Sequence, residues 1–328
     1  GLKVRRNGIA LISNSIVESN SGYGICACGT SFMFSESNTI RNNSGNGIYA
    51  TDNAEVNIKS NTISGHSGGS SITITQGAYA LINSNTITGS SGNTAVEISR
   101  GSSATIESNT IQSAHNGISV KDSSHAILKN NSVSSNSQNG LLIKNNASAV
   151  LVEGNTFSNN NYGILLTLGG SLNMRCDEQL TSATTISSNT KAAIKAELNS
   201  TASLCNLTLT SPNTGIRSYN GSSIHLENVT ITGSSEVGLK TSSSNIYVDN
   251  STITSSTDEE IRLSDSTIEL ANTAITGTAG NEEIKLNYGS MLFIDNGTTI
   301  TGTVYCDASV DNNSIGNWAN LTLTRSGC

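Results

Sequence analysis

One phrase recurs along this chain at a nearly fixed interval. Asn-Thr-Ile begins at Asn38, Asn61, Asn85 and Asn109, and softer copies begin at Asn131 and Asn155. Repetition of this kind constrains a fold more than any local propensity, because one small unit must then be stacked many times. Aligning the apolar residue of each copy gives Ile16, Ile40, Ile63, Ile87, Ile111, Val133 and Phe157, then Ile186, Leu209, Ile231, Ile253, Ile275, Ile300 and Leu323. The steps are mostly 22 to 24 residues, with one of 29. A second apolar anchor, often preceded by glycine, keeps pace from Ile25, Ile48 and Ile72 to Leu239, Ile261 and Ile284. Between the two lie alternating pairs such as Val56/Ile58 and Ile246/Val248.

Each repeat therefore holds three short alternating segments separated by Gly, Asn and Ser turns. Alternation marks strands with one buried face. Three such strands cannot bury their apolar faces alone, but stacked coils can, each strand pairing in parallel with its copy above and below. The pattern predicts an all-β chain, a single-stranded right-handed parallel β-helix (solenoid) with three short strands per coil. About 14 coils of 22–24 residues at roughly 4.8 Å each give a length on the order of 65 Å. One continuous domain is expected over residues 1–328, with a longer loop at 174–186.

Composition agrees. Only 12% of residues are charged, there is a single proline (Pro212), and β-branched residues abound. The net charge of −7 argues against nucleic acid as a partner. No apolar run is long enough to span a membrane. No signal peptide is visible at Gly1, which is compatible with secretion if the sequence is a mature form.

In-register stacking lets columns be read from sequence. One is an asparagine column: Asn14, Asn38, Asn61, Asn85, Asn109, Asn131 and Asn155. It resumes, one residue further from its anchor, as Asn206, Asn228, Asn250, Asn272 and Asn320. Stacked amides would satisfy turn backbone groups otherwise buried without partners, so a structural ladder is preferred to a ligand site. The one-residue shift suggests that the turn changes type after the long step.

Cysteines mark the next columns. Cys176, in the long step, and Cys205 are 29 residues apart yet adjacent in the stack, and Cys306 and Cys328 are 22 apart, one coil again. Neighbouring-strand spacing suits a disulfide, so both pairs are predicted as bridges, which implies an oxidising, extracellular or cell-surface location. Cys26 and Cys28 point outward together; a bridge, free thiols, a metal or a bond to a neighbour all remain open. No metal site is predicted, since His66, His115, His125 and His225 are scattered, and no cofactor is called for.

Five basic residues, Lys195, Arg217, Lys240, Arg262 and Lys285, each follow an inward anchor by one position. They should form an outward column, offset by Glu236, Glu259/Glu260 and Glu282/Glu283, and are the candidate binding strip for an acidic polymer or a neighbouring subunit. In the first half Glu36, Lys59, Glu107, Lys129 and Glu153 share a column of largely alternating sign, with Asn83 filling one rung. Eleven sequons permit glycosylation: Asn42, Asn130, Asn146, Asn199, Asn206, Asn220, Asn228, Asn250, Asn296, Asn312 and Asn320. Outward threonines flanking the repeated isoleucine, such as Thr86/Thr88 and Thr230/Thr232, make a hydroxyl strip. It resembles the T-x-T arrays of β-solenoid ice-binding proteins, although it admits Arg41 and Gln112.

The "NGIxL…N-x-I" coil resembles the parallel β-helix repeat of the pectin-lyase-like superfamily over nearly the whole chain. That superfamily includes lyases, hydrolases, epimerases, phage tailspikes and surface proteins, so the likeness carries fold and leaves function open. Its polysaccharide-cleaving members imply clustered carboxylates with a base, often Ca²⁺ and Arg/Lys. Here there is no Asp-Asp pair, no NTD motif and no Asp-Pro-His, because Ser211 precedes the only proline. The acidic clusters are Asp177/Glu178, Asp258/Glu259/Glu260 and Glu282/Glu283, and the first, with Arg175, lies in the long-step loop, where this fold could build a site. No capping helix is evident at either end, so either the chain is a piece of a longer parent or neighbours cover its ends; head-to-tail stacking would grow a fibre. The expectation is a secreted or cell-surface structural β-helix, a filament subunit or adhesin-like stalk that self-associates. The alternatives are a polysaccharide-binding or polysaccharide-cleaving β-helix and an ice-binding protein.

Overall fold

The computed structural model describes residues 1–90, 92–176, 182–210, 213–254, 256–277, 282–295 and 297–306, with the backbone of 315–316 and 323–326. It is an all-β right-handed parallel solenoid of about 13 turns, three strands to a coil, and among the described residues there is no helix. Two compact units are distinguished, Gly1–Leu165 with Leu180–Ser182, and Leu166–Gln179 with Ala183–Cys328.

In the first unit one coil is made by strands Ile48–Thr51, Glu55–Lys59 and Thr62–Ser64. The next is Ile72–Ile74, Tyr79–Asn83 and Thr86–Thr88. Their register sets Ile48 beside Ile72, Val56 beside Ala80, Ile58 beside Ile82 and Ile63 beside Ile87. All of these side chains are buried, and each large one contributes about 1.5–3 kcal/mol by leaving water. A slip of one residue would turn every one outward, so register is strongly specified. The second unit repeats the plan: Ile194, Ile216, Leu239, Ile261 and Ile284 stack in one column, and Ile186, Leu209, Ile231, Ile253, Ile275 and Ile300 in another. The glycine before the first column is a packing demand. A Cβ on Gly215 would stand 2.5 Å from both Gly238 O and Ile231 Cγ2.

The first unit contains the asparagine ladder. Asn38, Asn61, Asn85, Asn109, Asn131 and Asn155 are all buried. Asn61 Nδ2 donates to Asn85 Oδ1 (3.1 Å), Asn85 Nδ2 to Asn109 Oδ1 (3.0 Å) and Asn109 Nδ2 to Asn131 Oδ1 (3.1 Å). Each amide also binds backbone, as Asn109 Nδ2 does to Ile82 O at 2.8 Å. The residue before each rung is left-handed, for example Ser60 (φ 55°) and Ser84 (φ 57°).

That turn geometry corrects the frame of the first coil. Asn14 is itself the left-handed residue (φ 49°), and it is exposed, so it is not a rung of the ladder. Ser15 takes the rung, its backbone N donating to Asn38 Oδ1 at 2.9 Å. Val17, not Ile16, then pairs with Ile40, and Ile16 is 64% exposed. The same correction applies to Asn206, Asn228, Asn250 and Asn272. They have φ between 45° and 54°, are exposed, and hold the turn position rather than the rung. In the second unit the rung passes to Leu207, Val229, Ser251, Thr273 and Thr298. Val229 N donates to Ser251 Oγ (3.0 Å) and Thr273 N to Thr298 Oγ1 (3.2 Å). The column does not shift; its residue type changes. Asn320 lies outside the described residues.

A second buried ladder, on the far side of the repeated isoleucine, has no counterpart in the sequence reading. Asn20 N donates to Asn43 Oδ1 (3.0 Å), Ala114 N to Asn136 Oδ1 (3.0 Å) and Asn136 N to Asn160 Oδ1 (3.0 Å). His66 holds one rung, where burial drives its imidazole below the usual value against hydrogen bonds with the Asn43 and Ile40 backbone.

Candidate functional site

The outward faces are where side chains are free of the core, and three features stand there. In the second unit the five cations do form a column on successive rungs: Lys195 beside Arg217, Arg217 beside Lys240, Lys240 beside Arg262, and Arg262 beside Lys285. Acids are threaded between them. Glu236 bridges Arg217 (3.0 Å) and Lys240 (2.9 Å). Glu259 contacts Arg262 and reaches Lys285 at 3.5 Å, while Asp258 (2.5 Å) and Glu282 (3.3 Å) hold the same two cations. Lys195 pairs with Glu197 at 2.6 Å. Burial works to raise the Glu236 carboxyl, but bonds from Lys240 and Thr214 and the charges of Lys240 and Arg217 outweigh it and hold it below the usual range. The alternating column of the first unit closes the same way, Lys59 to Glu36 at 3.0 Å and Lys129 to Glu153 at 3.2 Å.

Glu260 is different from its neighbour Glu259. It occupies the place that Gly238 holds one coil earlier, and its side chain is buried. Oε1 accepts from Ser256 N at 2.9 Å, and among the described residues Oε2 has no hydrogen-bond partner. Burial and the adjacent charge of Glu283 raise its pKa, although Ser256 pulls the other way.

The second feature is a polar groove of about 470 Å³ in the first unit, which the sequence did not reveal. Tyr49, Thr73 and Glu97 are in register along its floor. Thr75, Ser99, Arg100, Lys121, Asp122 and Asn93 are among its other lining residues. Ser99 Oγ donates to Thr75 Oγ1 (3.0 Å). Tyr49 stacks on Tyr23 with ring centroids 4.6 Å apart. Of its carboxylates, Glu97 pairs with Lys121 at 3.2 Å and Asp122 accepts from Asn145 Nδ2 at 2.7 Å. Each is tied to a donor, unlike the isolated, apolar-flanked carboxyl that serves as a general acid. The arrangement is suited to hydrogen-bonding a hydroxyl-rich ligand.

The third is sulfur. Cys176 and Cys205 are bridged with Cα atoms 5.7 Å apart, as their stacking requires. Cys26 and Cys28 are also bridged. Cys328 lies outside the described residues, and with it the expected pairing to Cys306; so do Asp177 and Glu178. Every sequon asparagine among the described residues is exposed and left-handed, from Asn42 (φ 54°) to Asn250 (φ 45°). Sequons abound because these turns favour asparagine. Asn296, Asn312 and Asn320 are not among them. The hydroxyl strip faces outward, as Thr62 and Thr86 do, and is interrupted where Arg41 pairs with Glu18 at 2.7 Å. Among the described residues no group of three or more His, Cys, Asp or Glu is placed to hold a metal ion, and no helix is long and apolar enough to cross a membrane.

Comparison with known proteins follows this geometry. The family model described as a right-handed β-helix region matches residues 1–110 and 28–179. A chain of the Vag8–C1 inhibitor complex, solved by cryo-electron microscopy, superposes with a TM-score of 0.61 at 11% identity, over 99% of this chain and 94% of that one. The Dettilon tailspike protein gives 0.41 at 10% identity, over 96% and 61%. The A-module of the Azotobacter vinelandii mannuronan C-5 epimerase AlgE6 gives 0.34 at 12%, over 98% and 90%. At such identities the likeness is one of fold. A comparison with curated protein sequences finds no match.

Proposed function

The chain belongs to the right-handed β-helix family, and on that premise we propose that it is a secreted or cell-surface structural β-helix, an adhesin-like stalk. One observation carries this reading: the outward cations of the second-unit column are each held by acids, within their own coil or, for Arg217–Glu236 and Lys285–Glu259, across to the adjoining one. Arg217, Lys240, Arg262 and Lys285 are engaged by Glu236, Asp258, Glu259 and Glu282. The two pairs that cross between coils favour one register, and together the pairs leave this column little charge to direct at a substrate. The Cys176–Cys205 bridge supports an oxidising compartment.

The test is to produce the protein by secretion, image it by electron microscopy, and assay it on uronic-acid polymers with and without Ca²⁺. Rods or filaments that leave every polymer intact are expected. Cleavage or epimerisation of any polymer overturns the structural reading, and strictly monomeric rods overturn its self-associating version.

A second reading, a polysaccharide-binding module, is favoured by the groove around Tyr49, Thr73 and Glu97. Calorimetric titration with neutral and acidic oligosaccharides tests it. Binding that is weakened in Tyr49→Ala and Lys121→Ala supports it, and absence of heat across the panel removes it.

A further inference from the structure

The Cys26–Cys28 bridge does none of the work expected of a structural disulfide. It lies within one strand, Ile25–Cys28, and its two cysteines are separated by 2 residues, so it joins no two elements. The Cys176–Cys205 bridge, by contrast, ties rungs separated by 29 residues. Nor does the fold require sulfur there. The residues beside Cys26 and Cys28 one coil later are Tyr49 and Thr51, and after Tyr49 the stack continues with Thr73.

The surroundings are specific. On the preceding rung Lys3 is the direct partner of Cys26 and Arg5 of Cys28, so a basic residue occupies the neighbouring strand position beside each cysteine, with backbones about 5 Å apart. Lys3 and Arg5 are both exposed, Cys28 is half-buried, and Cys26 is only 2% exposed. Cations next to a cysteine favour the thiolate, which is both the better leaving group and the reactive form.

We propose that Cys26–Cys28 is a reversible dithiol–disulfide couple that exchanges with a low-molecular-weight thiol. The accessible sulfur is the one attacked. An incoming thiolate bonds to Cys28 Sγ, the Sγ–Sγ bond breaks, and its electron pair leaves on Cys26 Sγ, beside Lys3. A second thiolate attacks the small-molecule sulfur of the mixed disulfide and releases Cys28 as a thiolate beside Arg5. Two small thiols are oxidised to one disulfide, the protein bridge takes up the two electrons, and water supplies the protons that the new thiolates bind. The reverse sequence re-oxidises the pair. This inference is independent of whether the chain is a stalk or a glycan-binding module.

The experiment equilibrates the full, oxidised chain in reduced and oxidised glutathione at stepped ratios, quenches with an alkylating agent, and maps the cysteines by peptide mass spectrometry. Cys26 and Cys28 are expected to become alkylated at ratios that leave Cys176–Cys205 intact, with circular dichroism unchanged. The trapped mixed disulfide should sit on Cys28. Lys3→Gln/Arg5→Gln, both surface changes, should slow exchange by about three- to tenfold, and added salt should shrink that difference. The proposal is overturned if the two bridges open together, if the adduct is on Cys26, or if the double variant exchanges at the parent rate.

Discussion

Within one copy of the repeated phrase, adjacent residues have opposite fates. Asn109 accepts from Asn85 N (2.9 Å) and donates to Ile82 O, Glu107 O (2.9 Å) and Asn131 Oδ1, whereas Thr110 faces water. Asn109→Ala strands several buried groups at once and should lower stability by about 3 kcal/mol or more, read from urea midpoints. Thr110→Ala should stay within about 0.5 kcal/mol. Glu260 gives a pH signature. Its folded pKa is raised above the ordinary 4.5 by burial and by Glu283, so the folded state holds the proton more tightly than the unfolded chain. The associated stability is full below that value and is lost as pH rises through the raised one. Glu260→Gln should therefore be more stable than the parent at pH 7.5, with a smaller difference between acid and neutral urea midpoints. The asparagine rungs were legible because burial forces an identical residue to recur. Asn14, Asn206, Asn228, Asn250 and Asn272 misled because a left-handed turn selects the same residue as a ladder does, and only φ distinguishes them.

At the scale of strands and bridges, the sequence spacing says what each cross-link constrains. Removing Cys176–Cys205 by paired serine substitutions frees a loop of about 30 residues and should cost about 3–4 kcal/mol. Removing Cys26–Cys28 frees only about three and should cost about 1.5 kcal/mol or less. Thermal midpoints followed by circular dichroism would show the difference. Strand positions, register and the charged columns were legible because a fixed period makes them so. Two things were not. Leu207 and Val229 replace a polar rung by an apolar one, and there the second and third strands of the coil fuse into single strands, Thr201–Thr210 and Ser223–Thr232. The groove arises where Tyr49, Thr73 and Glu97 from three coils meet residues of the intervening turns, an adjacency no single repeat displays.

For the molecule as a whole, stability is a sum of like contacts between neighbouring coils. Excising the whole coil from Asn85 to Ser108, one ladder step of 24 residues, would set Asn61 against Asn109 and Ile63 against Ile111. The shortened chain should keep its circular dichroism and lose only a few degrees in melting temperature, while removal of half a coil should abolish cooperative folding. The buried asparagines add a property of a different kind. From Asn38 to Asn155 each side chain donates to the next in the same sense, so their amide dipoles add rather than cancel. The first unit is thus electrically polarised along its stack, and each amide strengthens the one behind it. Cutting this wire at Asn85 or Asn109 leaves two short segments, whereas cutting it at Asn38 merely shortens it. The harm done by one and the same substitution should therefore depend on where along the wire it falls.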